Sequence, residues 1–202
     1  LTETKKGPLF EPKFIFYKTD YWKIIDKKSR ESFEYFIKSF KKNIEVFDTP
    51  SYFKDINKYH QIIHETDLAN NFSEYYKKNK KKLSNYMQKA IANGNKYSSK
   101  EYAEAIDFMK RSYESYKEVF EDYHGVLSPS SPGVAPKGLK STGTAEFNKC
   151  WSFMGTPCIS LPLLQGENNL PLGVQLIGDK YDDLRFLGIA RWLEKESKEF
   201  NE

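Results

Sequence analysis

The chain has 202 residues, 39% hydrophobic and 30% charged, with a formal net charge of +4. That length supports one domain with a sizeable core, and a mean hydropathy of −0.72 places it among globular chains. Acidic residues are interspersed with the lysines, which argues against a nucleic-acid binder, and no apolar run approaches the ~20 residues of a membrane span.

From the amino end, Lys13–Lys18 reads as a compact apolar strand entered through Pro12. Lys27 to Lys42 carries Phe33, Phe36, Ile37 and Phe40 at i, i+3, i+4 and i+7, an amphipathic helix beginning near Ser29. Ile44–Phe47 is a second strand, closed by Asp48-Thr49-Pro50. A β–α–β order at this spacing predicts a right-handed crossover between parallel strands.

Ser51 to Tyr76 is helical again, and the run Lys77–Lys82 is expected to break it. A shorter helix through Leu83, Tyr86, Met87 and Ala90 ends at Asn93-Gly94. Ser98-x-x-Glu101 is a capping box opening a helix whose Tyr102, Ile106, Met109, Tyr113, Tyr116 and Phe120 form one stripe. Residues 51–122 therefore read as a helical, insertion-like region within a single α/β domain spanning 1–202.

Val126-Leu127-Ser128 is a short strand, and the Pro- and Gly-rich stretch from Ser130 to Gly143 is a loop. Phe147, Trp151 and Met154 share a face of a short helix, ended by Gly155 and prevented from continuing by Pro157. Cys158–Leu164 and Leu172–Ile177, joined by the turn residues Gly166–Asn169, read as a hairpin deep in a sheet. Asp182 caps a last helix with Phe186, Ile189, Ala190 and Leu193 facing inward. The class is α/β: a mixed β-sheet flanked by helices.

Self-contained catalytic chemistry is hard to find in these residues. His60 and His64 stand i, i+4 on one helix, yet neither metalloprotease pattern results and no metal site is assigned. Lys77–Lys82 beside Tyr75 and Tyr76 is a solvated helix end before it is a nucleic-acid patch. Ser128-Pro129-Ser130-Ser131 lacks the nucleophile-elbow glycines, and His124 is its sole local base candidate. The two cysteines, Cys150 and Cys158, read as reduced packing residues of a cytoplasmic protein. The start at Leu1 rather than Met is read as a processed or truncated product.

The motifs from Leu127 onward resemble the C-terminal part of the amidase signature family. They are the strand-plus-proline run Leu127–Pro132, Ser141-Thr142-Gly143, Phe147-Asn148 with Trp151, and Gly155-x-Pro157. Ser160–Pro162, LPLGVQLIG at Leu170–Gly178, and Asp182-Asp183 with the last helix complete them. The family includes bacterial amidases, allophanate hydrolase and the glutamine-hydrolysing component of an amidotransferase.

The resemblance implies hydrolysis of linear amide C–N bonds by a Ser–cis-Ser–Lys triad, with no metal or cofactor. The triad lies in the family's N-terminal half, and neither Ser98-Ser99 nor Ser130-Ser131 stands in its glycine setting. No catalytic residue is therefore carried over. Thr144, Asn148 and Trp151 occupy the segment that approaches the substrate pocket in relatives. Thr144 stands where many relatives have an acidic residue, so no ammonium-binding role transfers to it. The plainer alternative has Trp151 packing in the core and Asn148 capping a turn.

The resemblance thus implies the C-terminal half of an amidase, inactive alone, acting on a small-molecule amide. Its expected partner is the missing N-terminal half or a homo-oligomer, with no nucleic acid and no membrane. The runner-up is a degenerate stand-alone domain with a binding or scaffolding role. On the half-protein reading, the strands at Cys158–Leu164 and Leu172–Ile177 are normally covered or flanked by the missing half, and alone are expected to leave an apolar face or an unpaired edge.

Overall fold

A computed structural model describes residues 7–199. It separates into two units, one formed by the chain up to Pro50 together with Tyr116 onward, the other by Ser51–Ser115. The first unit holds a five-stranded mixed sheet. Its strands are β1 (Phe14–Lys18), β2 (Ile44–Asp48), β3 (Gly125–Pro129), β4 (Cys158–Gln165) and β5 (Pro171–Ile177), in the order β2-β1-β3-β5-β4. β1 pairs parallel with both β2 and β3, so the crossover expected between the first two strands forms as a parallel pair. β5 runs antiparallel to β3 and to β4.

Period-two alternation sorts the side chains of these strands onto two faces. Phe14, Phe16, Leu127, Leu172, Val174, Leu176, Leu161 and Leu163 enter one buried cluster. Over them lie α1 (Lys27–Ser39), through Phe33 and Phe36, and α6 (Asp183–Glu199), through Phe186, Ile189, Ala190 and Leu193. The cluster is rich in aromatic contacts: Phe16 lies 6.4 Å from Phe33, and Trp192 lies 6.1 Å from Phe14. Ile15, Tyr17, Val126, Ser128, Gln175 and Ile177 occupy the alternate positions, and all are buried. Buried beside them are Trp151, from α5 (Lys149–Met154), and Tyr116, with ring centroids 5.7 Å apart.

The local chemistry explains most boundaries. Asp26 is the N-cap of α1, its Oδ1 accepting from Ser29 N at 2.9 Å, three residues earlier than the start expected near Ser29. Gly155 adopts φ 68° after α5, where a Cβ would be strained, and Thr156 N donates to Trp151 O at 3.1 Å. In the β4–β5 turn the positive φ falls on Asn168 and Asn169.

Two expectations are corrected here. The hairpin is not deep in the sheet: β5 is interior, whereas β4 is an edge strand whose Cys158, Ser160 and Pro162 are exposed. Cys158 is therefore no core packing residue, although both thiols are free and Cys150 is buried. An apolar run alone does not tell an edge strand from a central one.

The second unit is helical. Its helices are α2 (Phe53–Asn79), α3 (Asn85–Gly94) and α4 (Ser99–Lys117), whose last two residues belong to the sheet unit. α2 runs past the point where the lysines were expected to end it. Glu74 pairs with Lys77 at 3.0 Å and Lys78 at 3.8 Å, offsetting like-charge repulsion at i+3 and i+4. Only Lys80–Lys82 leave the α-helix, in a 3-10 turn.

Gly94 lets α3 press on α2, since a Cβ there would lie 1.9 Å from the Glu65 carbonyl oxygen. The Glu65 carboxylate is buried but satisfied, accepting from Gln61, Asn93 and the Tyr97 hydroxyl. The capping box forms as read, with Ser98 N donating to Glu101 Oε2 at 2.8 Å and Glu101 N to Ser98 Oγ at 3.2 Å. Ser98 N and Ser98 Oγ, both donating to Glu101 Oε2, hold the Glu101 carboxyl below its ordinary pKa.

Phe33→Ala removes a fully buried ring between α1 and the sheet and is expected to cost about 3–5 kcal/mol in urea unfolding. Tyr35→Ala, on the exposed face of the same helix, is expected to stay within about 0.5 kcal/mol.

Candidate substrate-pocket wall

The chemistry-bearing residues meet where β3 ends. In open α/β sheets, ligands bind beyond the carboxyl ends of parallel strands, and β1 and β3 are parallel. Residues 130–148, which follow β3, contain no helix or strand. The start of this segment is pinned at several points. Ser130 N and Oγ both donate to Gly173 O, at 3.1 and 2.9 Å. Asp26 N donates to Pro132 O at 3.1 Å. Gly133 sits so close to α1's cap that a Cβ would lie 2.2 Å from Asp26 Oδ2. Beyond Val134 the residues are exposed as far as Ala145, with Gly138 and Gly143 at φ 92° and 89°.

The end of the loop is held by Gln175. Its side chain is 3% exposed, and Nε2 donates to Phe147 O at 2.7 Å, Ser128 Oγ at 2.9 Å and Pro129 O at 3.1 Å. One amide therefore joins β5, the end of β3 and the entry to α5. In sequence this residue reads only as part of an apolar strand. The signal for it is a lone amide in a run with few solvent-facing positions, because a buried polar group has to be paired.

The three residues expected at the pocket are placed differently from one another. Thr144 is exposed in the free part of the loop. Asn148 is half-buried at the N-cap of α5 without capping it; its Nδ2 donates instead to Ser130 O at 3.3 Å. Trp151, one turn on, is 1% exposed and packs against Tyr116. Asn148 is thus tied to the end of β3, and Thr144 is joined to neither of the others by a contact the structure records.

The serines of the proline-flanked stretch are committed elsewhere. Ser128 is fully buried and accepts from Gln175; Ser131 Oγ donates to Gly133 O at 2.6 Å. His124 precedes the other end of β3, about 13 Å from Ser128 along an extended strand. Its Nδ1 accepts from Lys13 N at 3.0 Å and its ring stacks on Phe10. Burial and the nearby Arg185 lower its pKa, so it is neutral near pH 7. Its distance and its engaged Nδ1, not its protonation state, leave His124 no base for these hydroxyls.

Burial pushes the Tyr17 phenol up to about 12 and Tyr116 well above its ordinary value, so both stay protonated. His60 and His64 stack at 5.7 Å, with Tyr86 Oη 3.5 Å from His64 Nε2. Among the described residues no group of three or more metal-ligating side chains comes together, and no helix is long and apolar enough to cross a membrane. The pinned ends of the wall offer amides, hydroxyls and backbone carbonyls, while Lys137 and Lys140 stand on its exposed arm and Glu146 pairs with Lys149.

Known proteins share this architecture. A crystal structure of an amidase superposes with a TM-score of 0.78 at 17% identity, over 95% of this chain and 47% of that one. The A component of the glutamyl-tRNA(Gln) amidotransferase of Thermotoga maritima superposes with a TM-score of 0.65 at 23% identity, over 91% of this chain and 42% of that one. At such identities the likeness speaks for the fold alone, and the fold is that of amidases.

The sequence model of the family described as Amidase matches residues 11–187, and the chain belongs to that family. Over 109 residues it is 36% identical to the A component of the glutamyl-tRNA(Gln) amidotransferase of Alkaliphilus metalliredigens. That match takes in 50% of this chain and 22% of that protein. The chain spans less than half the length of the relatives it matches.

Gln175→Leu leaves three acceptors without their donor and is expected to cost about 3 kcal/mol in chemical denaturation. Tyr116→Phe removes a buried hydroxyl that makes no hydrogen bond and is expected to be neutral or stabilising by about 1 kcal/mol.

Proposed function

We propose that this chain is the C-terminal portion of an amidase-family hydrolase that cleaves linear amide C–N bonds in a small-molecule substrate. In this reading it supplies sheet core and one wall of the substrate pocket. The catalytic serine and its base come from an N-terminal half, and no cofactor takes part. The observation that carries the reading is the pairing of family membership with a Ser128–Ser131 stretch whose serine hydroxyls are already engaged. The chain matches the family over residues 11–187, yet Ser128, Ser130 and Ser131 are all engaged by carbonyls or by Gln175. A nucleophilic serine needs an adjacent base, and none stands here.

The wall's part is to position substrate. Asn148 Nδ2 is engaged by Ser130 O, which leaves its carbonyl oxygen to accept from a substrate N–H. Thr144 lies on the exposed arm of the loop and contributes a neutral hydroxyl. Trp151 holds the first turn of α5 from behind, and so fixes where Asn148 stands. Such positioning is worth having only if the wall is rigid, since a displacement of about 1 Å in bound geometry can cost ~100-fold in rate. Two free thiols fit the cytoplasmic location this reading assumes.

The deciding experiment is an ammonia-release assay on simple aliphatic and aromatic amides. It compares the 202-residue chain with the protein translated from its whole reading frame. The chain alone is expected to show no turnover and the whole protein to hydrolyse at least one amide. Turnover by the chain alone would overturn the division of labour. No turnover by either would favour the binding or scaffolding role. In an active whole protein, Asn148→Ala is expected to raise KM about tenfold with kcat changed less, as for loss of a substrate hydrogen bond.

A further inference from the structure

Histidine, cysteine and carboxylate groups alone form no cluster of three among the described residues, which leaves the pair His60 and His64 one ligand short. The third group is a phenol. Both histidines stand on α2, one turn apart, with ring centres 5.7 Å apart and planes 14° from parallel. Tyr86, on the first turn of α3, brings its Oη to 3.5 Å from His64 Nε2. Tyr86 is 67% exposed, yet its hydroxyl is turned to the histidine rather than left to water.

That separation is long for a hydrogen bond, for which about 2.7–3.0 Å is usual. It matches instead the edge of a coordination tetrahedron, since two ligand atoms each about 2.0–2.1 Å from a zinc ion stand about 3.4 Å apart. Two imidazoles on one such ion place their ring centres about 5 Å apart, so a modest turn of the His60 and His64 rings brings both to one point. The frame that carries the three groups is fixed. Gly94 lets α3 press on the Glu65 carbonyl of α2, and Asn93 Nδ2 donates to Glu65 Oε1 at 3.3 Å. Ser84 caps α3, its Oγ accepting from Met87 N at 3.3 Å, and so holds the turn on which Tyr86 stands.

We propose that His60, His64 and Tyr86 bind zinc, or a similar first-row divalent cation, through a ring nitrogen of each histidine and the phenol oxygen. Imidazole suits such ions, and histidines at i and i+4 on a helix form a chelate. The fourth tetrahedral position is left to water. As the metal–oxygen bond forms, the phenol O–H breaks and its proton passes to solvent. The bound ion ties α2 to α3 within the helical unit. All three ligands belong to that unit, so the site draws on no group outside it and is independent of the amidase chemistry.

Calorimetric titration of the 202-residue chain with zinc sulfate tests it, together with the near-UV difference spectrum that reports a tyrosinate. One zinc ion is expected to bind per chain and the tyrosinate band to appear with it. His64→Gln and Tyr86→Phe, both at exposed positions, are each expected to weaken binding about tenfold or more, at least the loss typical of an outer-shell change, and to remove the band. His124→Asn, at the remaining histidine and with an acceptor kept for Lys13 N, leaves both readouts unchanged. Far-UV circular dichroism establishes that each variant is folded. Absence of binding at millimolar zinc would overturn the proposal. So would binding that survives His64→Gln, binding that is lost in His124→Asn, or binding indifferent to Tyr86→Phe, the mark of an adventitious histidine chelate.

Discussion

The side-chain amide of Gln175 is the constraint on which the candidate wall depends. A primary amide buried at 3% exposure is costly unless its N–H groups find acceptors, and here they reach Ser128, Pro129 and Phe147. Those acceptors belong to segments that are remote in sequence, so satisfying one side chain fixes the end of β3 relative to the start of α5. Asn148 directly follows Phe147, and its bond to Ser130 O closes the same loop from the other side. A charge in place of the amide would demand a counter-charge the site lacks, and a leucine would leave the carbonyls stranded. The polar network is small, and every member of it that the structure records is satisfied, the condition under which such a network rigidifies rather than weakens a core.

Much of the fold is legible in the chain, for identifiable reasons. The β1–α1–β2 unit is announced by Phe33, Phe36 and Phe40 at helical spacing between two apolar runs, and the structure pairs those strands in parallel. Gly155 before Pro157 marks a helix end by backbone sterics alone, and the glycine takes the left-handed conformation. What escapes is any feature set by neighbours distant in the chain. Cys158–Leu164 looks interior because it is apolar, but its alternation, with Leu161 and Leu163 inward and Ser160 and Pro162 outward, is that of a strand covered on one face. Lys77 and Lys78 look like a helix breaker until Glu74 is counted with them.

The site is less legible than the fold. Thr144, Asn148 and Trp151 come from a resemblance, and periodicity separates none of them from its neighbours. Their surroundings differ as much as surroundings can: an exposed loop, a half-buried helix entry and the interior. Gln175 can be suspected from its isolation among Leu172, Val174, Leu176 and Ile177. Which three acceptors it finds depends on strand order, and strand order is not a property of the segment. The same holds for Ser128, whose hydroxyl is catalytically suggestive in sequence and structurally committed in the fold.

Rigidity and reactivity make opposed demands on these residues. A hydroxyl that anchors a loop by donating to a carbonyl is poorly placed to be deprotonated, since that proton is already engaged and no base adjoins it. Tyr17 and Tyr116, held in protonated form by burial, are equally unsuited to proton transfer near neutral pH. Where the loop is pinned, it is held by hydroxyls and amides whose protons are already engaged. The same economy applies at the sheet's border. β4 keeps one face in the core through Leu161 and Leu163, and among the described residues nothing pairs with its outer edge, so the hydrogen-bonding groups there are directed outward.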